Sequence, residues 1–356
     1  MQERTRGVRG LVAAVVLVAL AAPASVVSAQ TASRHVLDGR AVTVYNLAGK
    51  VVVRGTEAAA TVVVVSPGGP DAGRISIESG IIDGQPTLRA VFPDDRVNYP
   101  AHGRGSSTYI RVREDGTFGS DSGRGRRVRV SGSGSGLEGW ADLEVGLAKG
   151  ASLRVFVGGG AITVTDVEGD LRLDTHIGPV TAQRVVGRLV VDTGSGAVDV
   201  TTVQGDVEVD TGSGAVTLNA LRSGRIVVDT GSGRVTGGDL QADRLEVDTG
   251  SGRIGLSSVS AGTLRLDTGS GTVDLDLISN VRSLVIDTGS GGVVLSVPSV
   301  IDAELEIDIG SGGITIDVPI EYRKKSRSYV FGLLGSGEGR ISIDTGSGSV
   351  KVVRRR

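Results

Sequence analysis

"LVVDTGSGAVDV" (residues 189–200) decides the fold, because apolar residues alternate with polar ones on both sides of a Gly-Ser-Gly centre. Alternation with period two marks a half-buried strand, so the stretch reads as strand, tight corner, strand. Its aligned copies place the aspartate at Asp174, Asp192, Asp210, Asp229, Asp248, Asp267, Asp287, Asp308 and Asp344, at spacings of 18, 18, 19, 19, 19, 20, 21 and 36 residues. The last gap reads as one repeat interrupted by the insertion "EYRKKSRSYVFGLLGSGEG" (321–339). A degenerate copy lies upstream, where "LRVFVGGGAITV" (153–164) aligns with "LRLDTHIGPVTA" (171–182).

A fixed period is the signature of a repeat architecture, and units this short leave no room for a helical crossover. The expectation is an all-β, single-chain β-solenoid, parallel β-helix-like, with about 18–21 residues per coil. Constant coil length and one recurring corner argue against an antiparallel sandwich or barrel. Stacking at about 4.8 Å per coil pairs each strand in parallel with its equivalents. Val207, Val209, Val216 and Leu218 then face inward, and Glu208, Asp210, Thr217 and Asn219 outward. Thr211 points inward by the same parity. Gly205, Gly224 and Gly262 mark the second corner. At the first, Gly212 and Gly214 are expected at positive φ, with the aspartate accepting hydrogen bonds from the turn amides.

Flanking segments complete the organisation. Residues 1–29 read as a secretory signal peptide: Arg4, Arg6 and Arg9, the apolar run Leu11 to Ala22, then Val27-Ser28-Ala29 before the cut. Export to the periplasm, cell surface or medium follows, with no integral membrane segment in the mature chain, since the run is shorter than a span and ends at Pro23. Residues 30–136 form an irregular N-terminal β region expected to cap the first coil's open edge. Within it, residues 94–136 read as a mobile Gly/Ser/Arg-rich loop. Residues 137–356 are the repeat solenoid.

Composition narrows the classes. The chain has no cysteine, so the core must hold it without disulfides. A net charge of −2 gives no electrostatic case for nucleic acid as a partner. Gly is frequent at 56 of 356 residues, yet β-branched residues are dense and in register, which separates the chain from disordered Gly-rich sequences.

The order "WADLEVGLAKGASLRVFVGGGAITVTDVEGDLRLDT" (140–175), the repeated Asp-Thr-Gly-Ser-Gly corners, and the late basic insertion closing on "LGSGEGRISIDTGSGSVKV" (334–352) resembles the bacterial putative-adhesin domain family of unknown function. "YNLAGKVVVRG" (45–55) is similar to that family's N-terminal strand pair. The resemblance implies an exported β-solenoid with no assigned reaction.

Asp-Thr-Gly-Ser is also the string around an aspartic protease's catalytic aspartate. That chemistry needs two opposed aspartates sharing a proton, whereas copies at coil spacing stand in a row. No catalytic residue is assigned. The row has its own problem, since carboxylates stacked near 4.8 Å repel by roughly 1 kcal/mol in water. Turn amides, Arg234 and Arg253, or a bridging divalent cation could offset this. One carboxylate per coil supplies too few oxygens for calcium, so no metal or cofactor is assigned. His35, His102 and His176 are scattered and read as solvated. The serines have no positioned base. "RGRRVR" (124–129) and "YRKKSR" (322–327) read as solvated charge runs. The threonines point inward, which argues against ice binding. The expectation is an exported, non-enzymatic, adhesin-like or envelope-scaffold protein whose partner is an unidentified surface ligand such as a polysaccharide or another envelope component. The rivals are a carbohydrate-active β-helix enzyme, for which Trp140, five Tyr and four Phe are sparse equipment, and a calcium-stabilised repeat protein.

Overall fold

A computed structural model describes residues 32–119 and 123–355. The expected signal peptide lies outside them. Strands dominate, and the only helical pieces among the described residues are two three-residue 3₁₀ turns. No helix of the described residues is long and apolar enough to cross a membrane.

The repeats coil as the periodicity requires. On one face Leu189–Ser195 pairs in parallel with Leu171–Ile177 and with Val207–Thr211, Val191 opposite Val209 and Thr193 opposite Thr211. On the other, Val180–Val186, Val198–Gln204 and the start of Val216–Thr230 pair in the same way. Val207, Val209, Val216 and Leu218 are all buried, so each coil adds rungs to continuous aliphatic columns. Each such side chain contributes roughly 1.5–3 kcal/mol as an upper bound, which lets nearest-neighbour stacking replace disulfides.

The second face carries a device absent from the periodic pattern. Asp166, Arg184, Thr202, Ala220, Asp239 and Ser258, one per coil, sit at φ between 52° and 57°. Each is skipped by the ladder, which passes from Gln183↔Thr201 to Val185↔Val203. The left-handed residue bends the strand so that the short coil can close.

Both ends depart from sequence order. The final strands do not follow Ala303–Ser311. Gly339–Ser347 lies between Ser283–Thr288 and Ala303–Ser311, parallel to both. Val350–Arg354 likewise lies between Val293–Val297 and Ile314–Asp317. The insertion explains the inversion: its strand Tyr329–Leu334 runs antiparallel along the outer edge of Ala303–Ser311. With that edge taken, the returning chain enters on the inner one. The hairpin's other strand, Glu321–Lys325, is exposed throughout and charged at every position but Tyr322, which discourages further strand addition.

At the N-terminal end, Gln85–Val91 pairs beneath Ala41–Ala48, and Ser76–Ile82 lies antiparallel outside it. On the opposite face Trp140–Ala148 enters between Val51–Thr56 and Thr61–Gly68, and Ser33–Leu37 lies outermost. The excursion read as a loop instead contains strands. Arg96–Asn98, Ser107–Val112, Arg126–Ser131 and Leu137–Glu138 form a second, four-stranded sheet. It buries Ile110, Val112, Val128 and Val130. Its seat is Gly158-Gly159: a Cβ on Gly158 would stand 2.5 Å from Ile110, and one on Gly159 would stand 3.1 Å from Val130. The glycines that make the 153–164 repeat degenerate therefore admit a second sheet.

Candidate functional site

The corner is held by threonine, not aspartate. Thr249 Oγ1 accepts a hydrogen bond from the Gly252 amide (2.9 Å) and donates to the Gly233 carbonyl of the preceding coil (3.3 Å). Thr268 and Thr288 repeat both bonds. These threonines are fully buried, so each satisfies a corner amide and fastens one coil to the next. None of the row's aspartates accepts the turn-amide bond expected of it.

The glycines also work differently from expectation. Gly212 and Gly214 are not among the positive-φ glycines. What they supply is room, since a Cβ on Gly214 would stand 1.7 Å from the Gly196 carbonyl oxygen, and one on Gly252 1.8 Å from that of Gly233. The corner backbones stack too closely for any side chain.

The nine aspartates form a row whose spatial order is 174, 192, 210, 229, 248, 267, 287, 344, 308. Neighbours lie side by side, not opposed as a protease dyad requires. Among the described residues only Arg265 pairs with a member, reaching Asp267 at 2.8 Å. Arg253 pairs instead with Asp274 (3.3 Å), and Arg234 makes no ion pair among the described residues. Partial burial and the neighbouring carboxylates raise the pKa of Asp210, Asp248 and Asp344. Asp174, almost fully buried, is pushed up to about 7 by desolvation and then by Asp192, against the opposing charge of Arg172. Protonation of Asp174 thus relieves the repulsion between it and Asp192 at that end of the row. Among the described residues no group of three or more acids or histidines stands close enough to hold a metal ion.

The histidines are not freely solvated. His35 is half-buried, with Nε2 2.9 Å from Ser33 Oγ. Burial lowers the pKa of His102 and of His176, the latter against the opposing pull of Asp192. The basic runs are tied down locally: Arg126 pairs with Asp95, Arg127 lies over the Tyr109 ring, and Lys324 and Lys325 lie over Tyr329 and Tyr322.

The row changes character at its N-terminal end. In register with Asp174 stands Phe156, and in register with Phe156 stands Tyr45. Their rings stack at 4.8 Å and 8°, and Phe118 meets Tyr45 edge-on at 5.5 Å. Beside this wall Arg154 and Arg172 occupy facing positions on adjacent parallel strands. The two-residue turn Asp83-Gly84, both residues at positive φ as a type I′ turn requires, brings Ile82 and Asp83 over from the outer hairpin. The segment after Ser107–Val112 adds Arg113, Asp115, Thr117 and Phe118. Together these line a cleft of about 580 Å³, within the size range of small-ligand sites.

Inside the cleft, Thr117 organises the polar groups. Its amide (2.9 Å) and hydroxyl (2.7 Å) donate to Asp115, and Arg113 donates to its hydroxyl oxygen (3.0 Å). For Asp115, burial works upward but those bonds and the Arg89 and Arg113 charges prevail, holding the carboxyl below its usual range. Burial pushes the Tyr45 phenol up. Arg154 and Arg172 form neither an ion pair nor a hydrogen bond with any described residue. No cleft residue was singled out from the sequence as functional. One signal was present, because the 153–164 repeat carries Phe156 where its aligned copy carries Asp174. The Asp83-Gly84 turn was a second.

A family model described as Toastrack DUF4097 matches residues 162–353. No curated protein matches the chain. Among solved structures, it is similar to a putative cell adhesion protein from Clostridium sporogenes ATCC 15579, at 9% identity over 91% of this chain and 99% of that one, with a TM-score of 0.19. The family match takes in the whole aspartate row and Arg172. Tyr45, Asp83, Phe118, Arg154 and Phe156 lie outside it.

Proposed function

The chain belongs to the Toastrack DUF4097 family, and from that premise we propose that it is an exported, non-enzymatic, adhesin-like β-solenoid of the cell envelope. Its coils serve as a rigid support, and the aromatic and arginine-lined cleft at one end binds a surface ligand. One observation carries this reading: the outward row repeats Asp from coil to coil and breaks to Phe156 and Tyr45 at the cleft. A repeated residue serves the repeat. A break that gathers aromatic and charged groups around a concavity serves recognition.

Asp174 and Asp192 form the pair that most resembles acid and base machinery, but neither lines the cleft. Asp174 is only 5% exposed, which denies a substrate access to its carboxyl. A glycan-array screen beside a polysaccharide-depolymerisation assay tests the reading. Binding without product release is the expected result, and release of shortened chains would replace it with a carbohydrate-active enzyme.

A further inference from the structure

Arg154 and Arg172 stand side by side on parallel strands that are about 4.8 Å apart. Two guanidinium groups so placed repel each other, and no described carboxylate is paired with either. Asp174, two residues on from Arg172 along the same strand, is buried and holds its proton into the neutral range. The geometry therefore leaves two planar donor groups lining the cleft, Arg154 exposed and Arg172 partly exposed, with water in place of a protein acceptor, an arrangement that a bound anion would complete.

The remaining lining defines the kind of anion. Three arginines (Arg113, Arg154, Arg172) against two aspartates (Asp83, Asp115) leave one net positive charge. That balance matches a carboxylate better than a dianionic phosphate, which would meet repulsion from both acids. The exposed Asp83 carboxylate makes no hydrogen bond to a described residue, so it can accept from a ligand hydroxyl. The half-buried rims of Tyr45 and Phe156 offer apolar contact to C–H groups. A ring carrying one carboxylate, several hydroxyls and an apolar side meets all of these demands, and the volume admits more than one such ring. We propose that the cleft binds a carboxylated pyranose, a uronate-type unit of an acidic polysaccharide, with its carboxylate held between Arg154 and Arg172. This rests on the cleft being the binding site of the proposed function and adds the ligand class.

Isothermal titration of the intact chain tests it, with galacturonate and mannuronate tetramers, their neutral methyl esters, and inorganic phosphate as probes. At least one acid tetramer is expected to bind, with its ester about tenfold weaker or worse, because the ester cannot accept charge-assisted bonds. R154Q and R172Q should each lose about tenfold or more in affinity while melting as the parent does. R188Q, whose arginine pairs with Glu208 outside the cleft, should bind as the parent. An ester or phosphate that binds as tightly as the acid overturns the ligand class but leaves the binding reading intact. So does unchanged binding of the acid by the folded R154Q and R172Q. If neither the tetramers nor any glycan on the array binds, the reading itself falls.

Discussion

Within coils 189–297 each copy resembles the next: an outward Asp, an inward Thr and a Gly-Ser-Gly corner. Between residues 41 and 177 the same register positions hold Tyr45, Phe156 and Asp174, and His176-Ile177 replaces Gly-Ser at the corner. The first region spends its identical residues on stacking. The second keeps the aliphatic columns, with Val155 and Leu173 buried like their equivalents, but frees its outward face for a cleft. Repetition and recognition thus occupy the same strands at different ends, and the chemistry of a copy follows from how far it departs from its siblings.

The largest effect that would sharpen this contrast is steric. Gly252→Ala places a Cβ 1.8 Å from a stacked carbonyl, with no flexible side chain to give way. It should cost about 4 kcal/mol or more, read as a fall in the denaturation midpoint. Gly255→Ala, three residues on, meets nothing within 4 Å and should change stability by less than about 0.5 kcal/mol. Equal effects at the two positions would deny that the corner is held by backbone stacking.

The boundary between the regions comes next. Asp174 has a folded pKa of about 7 against an ordinary value of 3.8, so between those pH values the folded chain retains a proton that the unfolded chain releases. Stability therefore falls as pH rises from 3.8 to about 7 and levels off above. Asp174→Asn should abolish that loss, leaving the variant more stable than the parent above neutrality by at most about 4 kcal/mol. Below pH 3.8 the advantage should vanish. Parallel stability curves for parent and variant between acid and neutral pH would contradict the buried, protonated Asp174.

Thr249→Val keeps shape but removes both corner bonds, and should cost about 1–3 kcal/mol because the Gly252 amide is left unsatisfied. Thr249→Ser, which retains the hydroxyl, should recover most of that. Smallest is Arg265→Ala, since its pair with Asp267 is largely exposed and exposed pairs are worth under about 1 kcal/mol. A larger loss there would mean that this ion pair holds the row more firmly than an exposed pair can.

Period-two alternation and the recurring corner were enough to read the parallel stacking, the inward Val and Leu columns, the inward threonine and the outward aspartate. Parity could not tell which of Thr and Asp bonds the corner, because both stand beside the turn. Nor does a pattern of spacing reveal whether a glycine is needed for φ or for room, which depends on the coil above. The intercalated final coil was hidden because periodicity orders repeats along the chain, whereas strand edges order them in space. The cleft drew its walls from a segment whose Gly, Ser and Arg content resembles a loop. The strands there became apparent only with Ile110, Val128 and Val130 buried against Gly158 and Gly159.

Hydrogen–deuterium exchange of the intact chain, with and without a bound uronate tetramer, tests most directly whether recognition resides where the repetition breaks. The account predicts added protection confined to residues 43–48, 81–84, 111–119 and 152–174, with the corners from 210 to 291 unchanged. Protection spread along those corners, with none around Tyr45, Phe118 and Phe156, would contradict it.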